Sequence, residues 1–404
     1  MHILLITHYF PPESNAPANR AFEHASAWVA DGHKVSIVTA APSHPRGQIY
    51  PGYANRFVHE EVGGIDVIRL PTFVAGNKGI VARAGSFFSF LLAVRHYRRR
   101  LPQADVVVST SPQFFSGIAG HFVARGKVPW VLEVRDLWPE SIVAVGAMKR
   151  NVFIRLLERL EGWAYRTADL IVTTTEAHSG HVRARGAVGP VVTIRNGITP
   201  HQIEANPAAG EAFRREHGLQ EKFVAAYLGT HGMAHRLDTA LDAAEKLRER
   251  DDIRILLVGD GAERARLVAE AKRRSLPNLV MLGQQRRETI PAILAATDAA
   301  MVLLKRSDTF KSVLPSKLVE AMAVGKPAIL GVEGEAAILL AEADAGIAIP
   351  PQDSAALADA IASLADDRER ATWLGANGQR YAREKLDRDT LARTMASAMQ
   401  ELIP

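Results

Sequence analysis

Lys317 and Glu320 lie three residues apart in a segment that could bind a phosphorylated ligand. Pro315 suits the first turn of a helix, so the sequence predicts a helix that opens with Pro315, Ser316 and Lys317. Amide groups and a lysine at the positive end of a helix attract phosphate. One turn on, the Glu320 carboxylate could accept hydrogen bonds from both vicinal hydroxyls of a ribose. The alternative is a capped amphipathic helix that exposes Glu320 to solvent.

Glycine-rich turns follow two predicted strands in the second half of the chain. A glycine lets a ligand approach the backbone closely. The helix predicted after each turn, over residues 236–250 in the first case, presents its amide groups to phosphate. The alternative is a glycine that only permits a tight connection between strand and helix. The candidate donor-binding residues in these turns are Gly229, Thr230, His231, Gly232 and Gly259.

Two charged residues, Arg135 and Asp136, follow an apolar run in the first half of the chain. At the carboxyl end of a strand, Asp136 could contact a substrate hydroxyl and Arg135 could bind a phosphate. A helix cap with a local Arg–Asp ion pair is the alternative. The loops that carry His8 and Arg46 follow other predicted strands, so we place these two side chains on the same acceptor side.

Apolar runs of strand length alternate with segments of helical period along the whole chain. The runs are apolar on both faces, which is typical of strands in a parallel sheet covered by helices. In the first half they are His2–Thr7, Lys34–Thr39, Ile65–Leu70, Asp105–Ser109, Pro129–Val134, Leu170–Thr174 and Val191–Ile194. In the second half they are Phe223–Leu228, Ile253–Val258, Leu279–Leu282, Ala299–Leu303, Ala328–Leu330 and Gly346–Ile349.

A turn-rich break at Asn196–Pro200 separates these two series. The pattern predicts an α/β protein with two doubly wound, Rossmann-like domains that face each other across a cleft. We expect one domain over residues 1–198 and a second over 199–384, with a C-terminal helix over 385–404 that packs back toward the first. Ligands of doubly wound domains bind at the carboxyl ends of the strands. The candidate residues lie at those ends.

The excess positive charge lies in the first half of the chain. The net charge is +5, and residues 1–200 hold 22 lysines and arginines against 14 aspartates and glutamates. This imbalance predicts an anionic partner for the first half. Nucleic acid is a poor fit, because aromatic residues make up only 6% of the chain and no basic–aromatic pattern occurs. The chain has no cysteine and starts directly with a predicted strand, so we expect a cytoplasmic protein.

The segment Ile80–Arg100 combines apolar and basic residues and allows two interpretations. It could lie on an anionic membrane surface, with its apolar side chains inserted and its arginines over the headgroups. It could equally be an ordinary domain helix whose apolar face is buried. The residues that the membrane interpretation places in the lipid are Phe87, Phe88, Phe90 and Leu91, and those over the headgroups are Arg95, Arg98, Arg99 and Arg100.

The segment from Pro315 to Pro327 resembles the signature of family-4 glycosyltransferases of the GT-B fold. In that signature two glutamates separated by seven residues precede Ala-Met-Ala and Gly-Lys-Pro. The resemblance covers nearly the whole chain, because further motifs occur in the family's order. They are Tyr9–Glu13, Asn196-Gly197, Leu257–Gly261 and Leu282-Gly283.

The resemblance implies a donor site that keeps one feature of the family signature and departs from it in two others. Glu320 aligns with the second glutamate, which holds the ribose. Ser312 stands where the family has its first glutamate, which contacts the donor sugar, so the loop that continues through Leu314 must recognise its sugar differently. The arginine and lysine that usually bind the diphosphate are also missing. Of the cations that remain, His235, Arg236 and Lys317, we favour Lys317 because its helix amides would bind the same phosphate.

The departures resemble a branch typified by amino-dideoxysugar (L-fucosamine-type) transferases of bacterial surface polysaccharides such as O-antigen and capsule. The resemblance implies a retaining transfer of a hexose or amino sugar from a nucleoside-diphosphate donor, with a UDP-sugar favoured and no cofactor or metal required. The acceptor would be a saccharide or lipid-linked saccharide at the inner face of the plasma membrane. Two rival functions are a GT-B sugar-nucleotide epimerase and a non-catalytic nucleotide-sugar-binding partner of another transferase.

Overall fold

A computed structural model of the chain describes residues 1–44, 46–75, 80–144, 150–199 and 206–403. The chain forms two compact units. Unit 1 contains Met1–Arg195 and Arg388–Pro404, and unit 2 contains Asn196–Asp387. The predicted break at Asn196–Pro200 ends on a residue outside the described ranges.

Unit 1 is built on an eight-stranded sheet with the spatial order β3-β4-β2-β1-β5-β6-β7-β8. All neighbouring strands are parallel except β3, which pairs antiparallel with β4. The strands are β1 (His2–Ile6), β2 (Lys34–Ala40), β3 (Val58–Val62), β4 (Ile65–Leu70), β5 (Val106–Thr110), β6 (Trp130–Val134), β7 (Leu170–Thr173) and β8 (Val191–Thr193). Connections leave β1 and β5 in opposite directions along the sheet, so the topological switch point lies between these two strands.

Helices cover both faces of this sheet. The first six are α1 (Ala16–Ala30), α2 (Ile80–Tyr97), α3 (Phe114–Ala124), α4 (Glu140–Ala144), α5 (Val152–Thr167) and α6 (Glu176–Ala184). One face packs on α2, α3 and α5 through buried residues such as Phe90, Ile118 and Leu157. The other face packs on α1 through Ala21, Ala25 and neighbouring side chains.

Unit 2 repeats the architecture with a six-stranded parallel sheet in the order β11-β10-β9-β12-β13-β14. Its strands are β9 (Phe223–Leu228), β10 (Ile253–Val258), β11 (Leu279–Leu282), β12 (Ala299–Leu303), β13 (Ala328–Gly331) and β14 (Gly346–Ala348). Its helices are α7 (Pro207–Glu216), α8 (Asp238–Lys246), α9 (Arg264–Arg274), α10 (Ile290–Ala296), α11 (Ser316–Ala323), α12 (Glu335–Ala343), α13 (Ser354–Asp366) and α14 (Arg368–Lys385). The switch point lies between β9 and β12.

The last helix, α15 (Arg388–Gln400), belongs to unit 1 and packs on α1. Its Met395 and Met399 are buried with Trp28, whose indole N–H donates a 2.8 Å hydrogen bond to the carbonyl of Ala392. Residues of the C-terminal helix α15 therefore complete the hydrophobic core on the face of the sheet that α1 covers.

Two Rossmann-like units with parallel sheets confirm the predicted fold class, and two local differences have simple causes. The strand β3 was not predicted, because His59, Glu60 and Glu61 make it polar and half-exposed. It pairs with β4 through a Gly63-Gly64 turn, which is a hairpin signal. Helix α8 begins at Asp238 rather than at the predicted residue 236.

Candidate functional site

The loops that follow β9 and β12 meet at the switch point of unit 2. The amide of Lys305 donates a 2.7 Å hydrogen bond to the carbonyl of Ala234, and the His235 Nδ1 lies 3.3 Å from the carbonyl oxygen of Leu303. A crevice at this point is where open α/β sheets bind ligands. Helix α11 connects the parallel strands β12 and β13, so its first turn lies at the same edge of the sheet.

Lys317 extends from the first turn of α11 across the end of β9. A Cβ atom added to Gly229 would lie 2.3 Å from the Lys317 Cε and 2.8 Å from its Nζ, so glycine alone leaves room for the ammonium. The Nζ lies 5.5 Å from the centre of the Tyr227 ring, within range of a cation–π interaction. Burial lowers the pKa of Lys317, and the nearby Glu320 carboxylate opposes that shift.

The other residues of α11 lie where the predicted helix places them. Pro315 precedes the first helical residue, Ser316, whose side chain is exposed. Glu320 is partly buried one turn later, and Leu314 anchors the preceding loop in the core. The first amide groups of a helix have no acceptor within the helix. The helix therefore presents those amides, a lysine and a carboxylate within two turns.

The glycines after β9 and β10 allow two loops to lie in direct contact. A Cβ at Gly259 would lie 1.9 Å from the carbonyl oxygen of Gly229, because the two turns cross there. The amide of Gly229 donates to the carbonyl of Val258, and that of Gly259 donates to the carbonyl of Leu282. Gly259 thus allows the crossing, and Gly229 leaves room for the Lys317 side chain. The donor-binding role of these two glycines stays a prediction.

The polar residues between β9 and α8 divide into buried and exposed groups. The His231 ring is fully buried, and neither ring nitrogen has a hydrogen-bond partner among the described residues. Burial, and then the Arg264 guanidinium, lower the pKa of His231. Thr230 and Arg236 are exposed. The backbone of Arg236 has φ of 45°, and this left-handed conformation delays the start of α8.

His235 lies between these two groups. Burial lowers its pKa, and the positive charge of Lys317 adds to the effect. Of the three cations predicted near the diphosphate, His235 is therefore the least suited to carry positive charge, since its lowered pKa favours the neutral imidazole.

The loop that carries Ser312 is fixed against the start of α12. The Lys311 carbonyl accepts a 2.8 Å hydrogen bond from the Glu335 amide, and the Lys311 ammonium lies 2.7 Å from Asp308. The Ser312 hydroxyl lies 3.4 Å from the carbonyl oxygen of Thr309. The loop thus presents a hydroxyl where the resemblance places a carboxylate. Gly283, after β11, is partly buried with its added Cβ position 3.6 Å from Arg264.

In unit 1 a buried ion-pair chain joins the ends of β5 and β6. The Arg20 guanidinium lies 3.2 Å from one carboxylate oxygen of Glu133, and Arg135 lies 2.9 Å from the other. Arg20 also donates to the Thr110 hydroxyl at 2.8 Å, and the Arg135 amide donates to the Ser111 hydroxyl at 2.7 Å. Burial lowers the pKa of Arg20, and Glu133 opposes that shift. With two guanidinium groups and one carboxylate, these three side chains together carry one net positive charge.

Asp136 follows this chain and is partly buried. Burial raises the pKa of its carboxyl, against hydrogen bonds from the Ser141 hydroxyl and the Leu137 amide. A carboxyl with a raised pKa is better suited to exchange a proton near neutral pH. Asp136 lies after β6 and His8 after β1, with only β5 between these strands, so they share an edge roughly 10 Å apart.

The environment of His8 differs from the predicted one, whereas that of Arg46 does not. His8 is 5% exposed and makes edge-to-face ring contacts with Phe87 at 4.9 Å and Phe90 at 5.1 Å. Burial lowers the pKa of His8 to about 3, so its ring is neutral and enclosed. Arg46 is exposed in the loop that follows β2. The exposed arginine remains a candidate acceptor contact, whereas His8 is part of the core.

Comparisons with known proteins agree with this geometry. The model of "Glycosyl transferase 4-like domain" matches residues 15–197, and that of "Glycosyl transferases group 1" matches residues 210–381. The putative colanic acid biosynthesis glycosyl transferase WcaI of Escherichia coli K12 is 27% identical over 365 residues, covering 86% of this chain and 88% of the relative. The chain belongs to the GT-B glycosyltransferases.

Solved structures of this fold cover the whole glycosyltransferase chain. Sucrose-phosphate synthase from Thermosynechococcus elongatus superimposes with a TM-score of 0.71 at 19% identity, over 100% of this chain and 99% of its own. Anabaena Alr3699/HepE in complex with UDP-glucose gives a TM-score of 0.67 at 18% identity, with both chains covered completely. At these identities the likeness shows the fold alone.

Sequence reasoning missed two residues that position the candidate groups of this glycosyltransferase. Tyr227, on β9, supports the Lys317 ammonium, and its hydroxyl donates to the Thr230 carbonyl at 2.9 Å. Arg20, on α1, anchors Glu133. Glu133 offered a signal, because a carboxylate inside an apolar strand needs a buried partner. Tyr227 offered none, because an aromatic residue in a strand is ordinary.

Of the two interpretations of α2, the burial supports a domain helix with a buried apolar face, and the membrane interpretation is wrong for three of the four side chains that it inserts. Phe87, Phe90 and Leu91 are buried in the core of unit 1, because the sheet needs an apolar cover on this face. Of the predicted set only Phe88 is exposed. Arg95 and Arg100 lie over the rings of neighbouring aromatic residues. Part of the predicted segment, including the side chains of residues 80, 81 and 83, is not described.

Within the described residues no helix is long and apolar enough to cross a membrane. The same ranges contain no group of three or more histidine, aspartate or glutamate side chains placed to hold a metal ion.

Proposed function

We propose that this glycosyltransferase moves a sugar from a nucleoside-diphosphate donor, a UDP-sugar, to a saccharide or lipid-linked saccharide in bacterial surface polysaccharide synthesis. The placement of the Lys317 ammonium over Gly229, at the switch point and at the start of α11, carries the donor part of this proposal. HepE, which shares the fold, has been solved with UDP-glucose. WcaI, a relative, is named for colanic acid biosynthesis.

In the proposed reaction the bond from the anomeric carbon to the diphosphate breaks, a bond to an acceptor oxygen forms, and the proton of that hydroxyl passes to the Asp136 carboxylate. Stabilising the negative charge that develops on the diphosphate is the main electrostatic task. The Lys317 ammonium and the amides of α11 are suited to it because both lie at one end of one helix. Glu320, one turn further, holds the ribose hydroxyls. Ser312 leaves the donor sugar without the carboxylate contact of the family, which fits an amino-dideoxy sugar. We propose retention at the anomeric carbon with no metal or cofactor required.

The acceptor side of the proposal rests on unit 1. Asp136 hydrogen-bonds the reacting hydroxyl, and its raised pKa suits that contact. Arg135, held by Glu133, binds an anionic group of the acceptor. The positive excess of the first half of the chain favours a phosphorylated lipid carrier and a site at the inner face of the plasma membrane.

A thermal-shift screen of the purified protein against UDP-, GDP- and dTDP-sugars tests the donor assignment. A bound donor raises the melting temperature by mass action, and we expect the UDP compounds to do so. Lys317→Met should raise the UDP dissociation constant at least tenfold, whereas Lys272→Met, an exposed lysine on α9, should leave it unchanged. Equal UDP binding by both variants would remove Lys317 from the donor site.

A transfer assay then separates an enzyme from a binding protein. With the donor found in the screen and a lipid-linked acceptor, Glu320→Gln should weaken donor binding. Asp136→Asn should lower turnover by at least a hundredfold with little change in the UDP shift. Formation of an isomerised nucleotide sugar without acceptor would instead show an epimerase.

A further inference from the structure

The outward face of α5 exposes three large apolar side chains within five residues. Val152 is 82% exposed, Phe153 50% and Leu156 60%. A soluble helix usually turns such residues inward, since each costs free energy in water in proportion to its apolar area. A cluster of this kind on one helix marks a surface that binds something apolar.

The periodicity of α5 shows that these residues form a stripe rather than a scatter. Successive helical residues are separated by roughly 100° around the axis. The side chains of Ile154, Leu157, Ala164 and Tyr165 are buried and define the inner face. Val152 and Leu156 project from the opposite side, at a spacing of four residues, and Phe153 lies on one flank. Leu160 and Trp163, further along the helix, pack against the core, and the Trp163 ring contacts His121 of α3.

The other flank of the stripe is basic. Arg155, Arg159 and Arg166 are all exposed and lie side by side at spacings of four and seven residues. The two carboxylates of the helix do not offset them at the surface. Glu161 is 1% exposed, and Glu158 is partly buried beside Arg185. The outward face of α5 therefore joins an apolar stripe to an uncompensated row of arginines.

We propose that α5 lies in the headgroup region of an anionic bilayer, with Val152, Phe153 and Leu156 inserted and Arg155 and Arg159 over lipid phosphates. An apolar stripe bordered by arginines is the pattern of an interfacial helix. The charge row selects anionic lipid over another protein surface, since each arginine near such a membrane adds about 1 kcal/mol of attraction. This surface replaces the one predicted on α2.

The position of α5 connects this surface to the acceptor side. Helix α5 links the parallel strands β6 and β7, so it starts at the carboxyl edge of the sheet, where Asp136 follows β6. A bilayer bound along α5 would bring a lipid-carried acceptor to that edge. The inference rests on the proposed function only for this connection, because lipid binding itself needs no donor and no turnover.

Sedimentation with vesicles tests the proposal directly. The whole chain should sediment with phosphatidylcholine vesicles that contain phosphatidylglycerol, and far less with phosphatidylcholine alone or at high salt. Arg155→Gln with Arg159→Gln should lower the partition coefficient roughly 30-fold, the equivalent of two arginines at about 1 kcal/mol each. Phe153→Ser with Leu156→Ser should lower it at least tenfold.

Matched controls separate this surface from others. Phe88→Ser with Leu92→Ser removes two exposed apolar side chains from the described part of α2, and Trp373→Ser removes one from unit 2. Both variants should sediment as the wild type does. An unchanged UDP thermal shift in the α5 variants would show that they are folded, and a failed donor proposal would leave the vesicle result intact.

Three outcomes would overturn the proposal. The first is a wild-type chain that stays in the supernatant with anionic vesicles at low salt. The second is a loss of binding in the α2 variant and not in the α5 variants. The third is a wild-type dimer that Phe153→Ser with Leu156→Ser converts to a monomer with unchanged sedimentation, which would make α5 a contact between copies of the chain.

Discussion

Lys317 reaches the end of β9 from a neighbouring helix because two glycines leave room for it. Gly229 leaves space for the lysine stem, and Gly259 lets the β10 turn cross directly over Gly229. Both have φ values near +140°, which side-chain-bearing residues rarely adopt. The obstacles that a methyl group would meet nevertheless differ. At Gly229 it meets the flexible end of a side chain, and at Gly259 it meets a backbone carbonyl.

These two obstacles predict that Gly259→Ala mainly loses stability and that Gly229→Ala mainly loses UDP binding. Gly259→Ala should lower the free energy of unfolding by about 3 kcal/mol or more, because the backbone must move. Gly229→Ala should cost less, about 1–2 kcal/mol, but weaken UDP binding at least tenfold by displacing Lys317. Urea unfolding and UDP titration measure the two quantities. Normal UDP affinity in Gly229→Ala would contradict the proposed site.

The buried histidines of unit 1 predict a loss of stability in acid. The folded-state pKa of His8 is about 3 and that of His24 is also about 3, against 6.5 for a free imidazole. As the pH falls below 6.5, the unfolded chain takes up protons that the folded chain does not, so the free energy of unfolding falls. The loss at pH 5 is about 2 kcal/mol for each ring.

Replacing one ring isolates its share of this loss. His8→Phe keeps the contacts with Phe87 and Phe90 and removes the titration. The drop in unfolding free energy between pH 7 and pH 5 should therefore be about 2 kcal/mol smaller than in the wild type. His96→Phe, at an exposed position of α2, serves as the control. An unchanged drop in His8→Phe would show that water or a relaxed fold solvates the imidazolium.

At the scale of elements, the sequence predicted the helices that bury one face and the strands that are buried on both faces. The strands of both parallel sheets match apolar runs to within one or two residues, because strands covered on both faces exclude polar side chains. The polar edge strand β3 lacks that constraint. Helix α11 was predicted from Pro315 and its charged first turn. The contact between the Gly229 and Gly259 turns was not predicted, because a contact between two loops produces no periodic pattern in the sequence of either.

Side-chain environments were harder to predict than elements, as α2 and α5 illustrate. Both helices carry apolar and basic residues, but Phe87 and Phe90 pack under α2 while Val152 and Leu156 of α5 stay outside. The difference arises from neighbours distant in sequence. Helix α2 packs against α3, and Trp163 of α5 contacts His121 of the same helix, whereas Val152 and Leu156 at the start of α5 stay exposed.

We expect small changes in the buried face of α15 to lower the stability of unit 1 substantially. Met395 is 1% exposed and packs with Trp28 and the strands behind it. Met395→Ala should lower the stability of unit 1 by about 2–4 kcal/mol, the usual cost of a cavity in a packed core. Chemical denaturation followed by tryptophan fluorescence measures it. Thr394→Ala, on the exposed side of the same helix, should cost under 1 kcal/mol.

At the scale of the whole molecule, each unit encloses its own hydrophobic core. We therefore expect two calorimetric transitions that respond to different changes. UDP should raise the melting temperature of the unit 2 transition, and Gly259→Ala should lower it. Met395→Ala should lower only the other. A single transition displaced equally by UDP and by Met395→Ala would show that the two cores unfold together.

The return of α15 to unit 1 also sets the order in which the protein can mature on the ribosome. Residues up to Arg195 leave the exit tunnel long before Arg388–Gln400 are translated. During that interval α1 lacks the helix that covers Trp28, while unit 2 can close around its own core as soon as Asp387 has emerged. The first unit to be synthesised is thus the last to be completed. Nascent chains that end before residue 388 should be the species that chaperones retain.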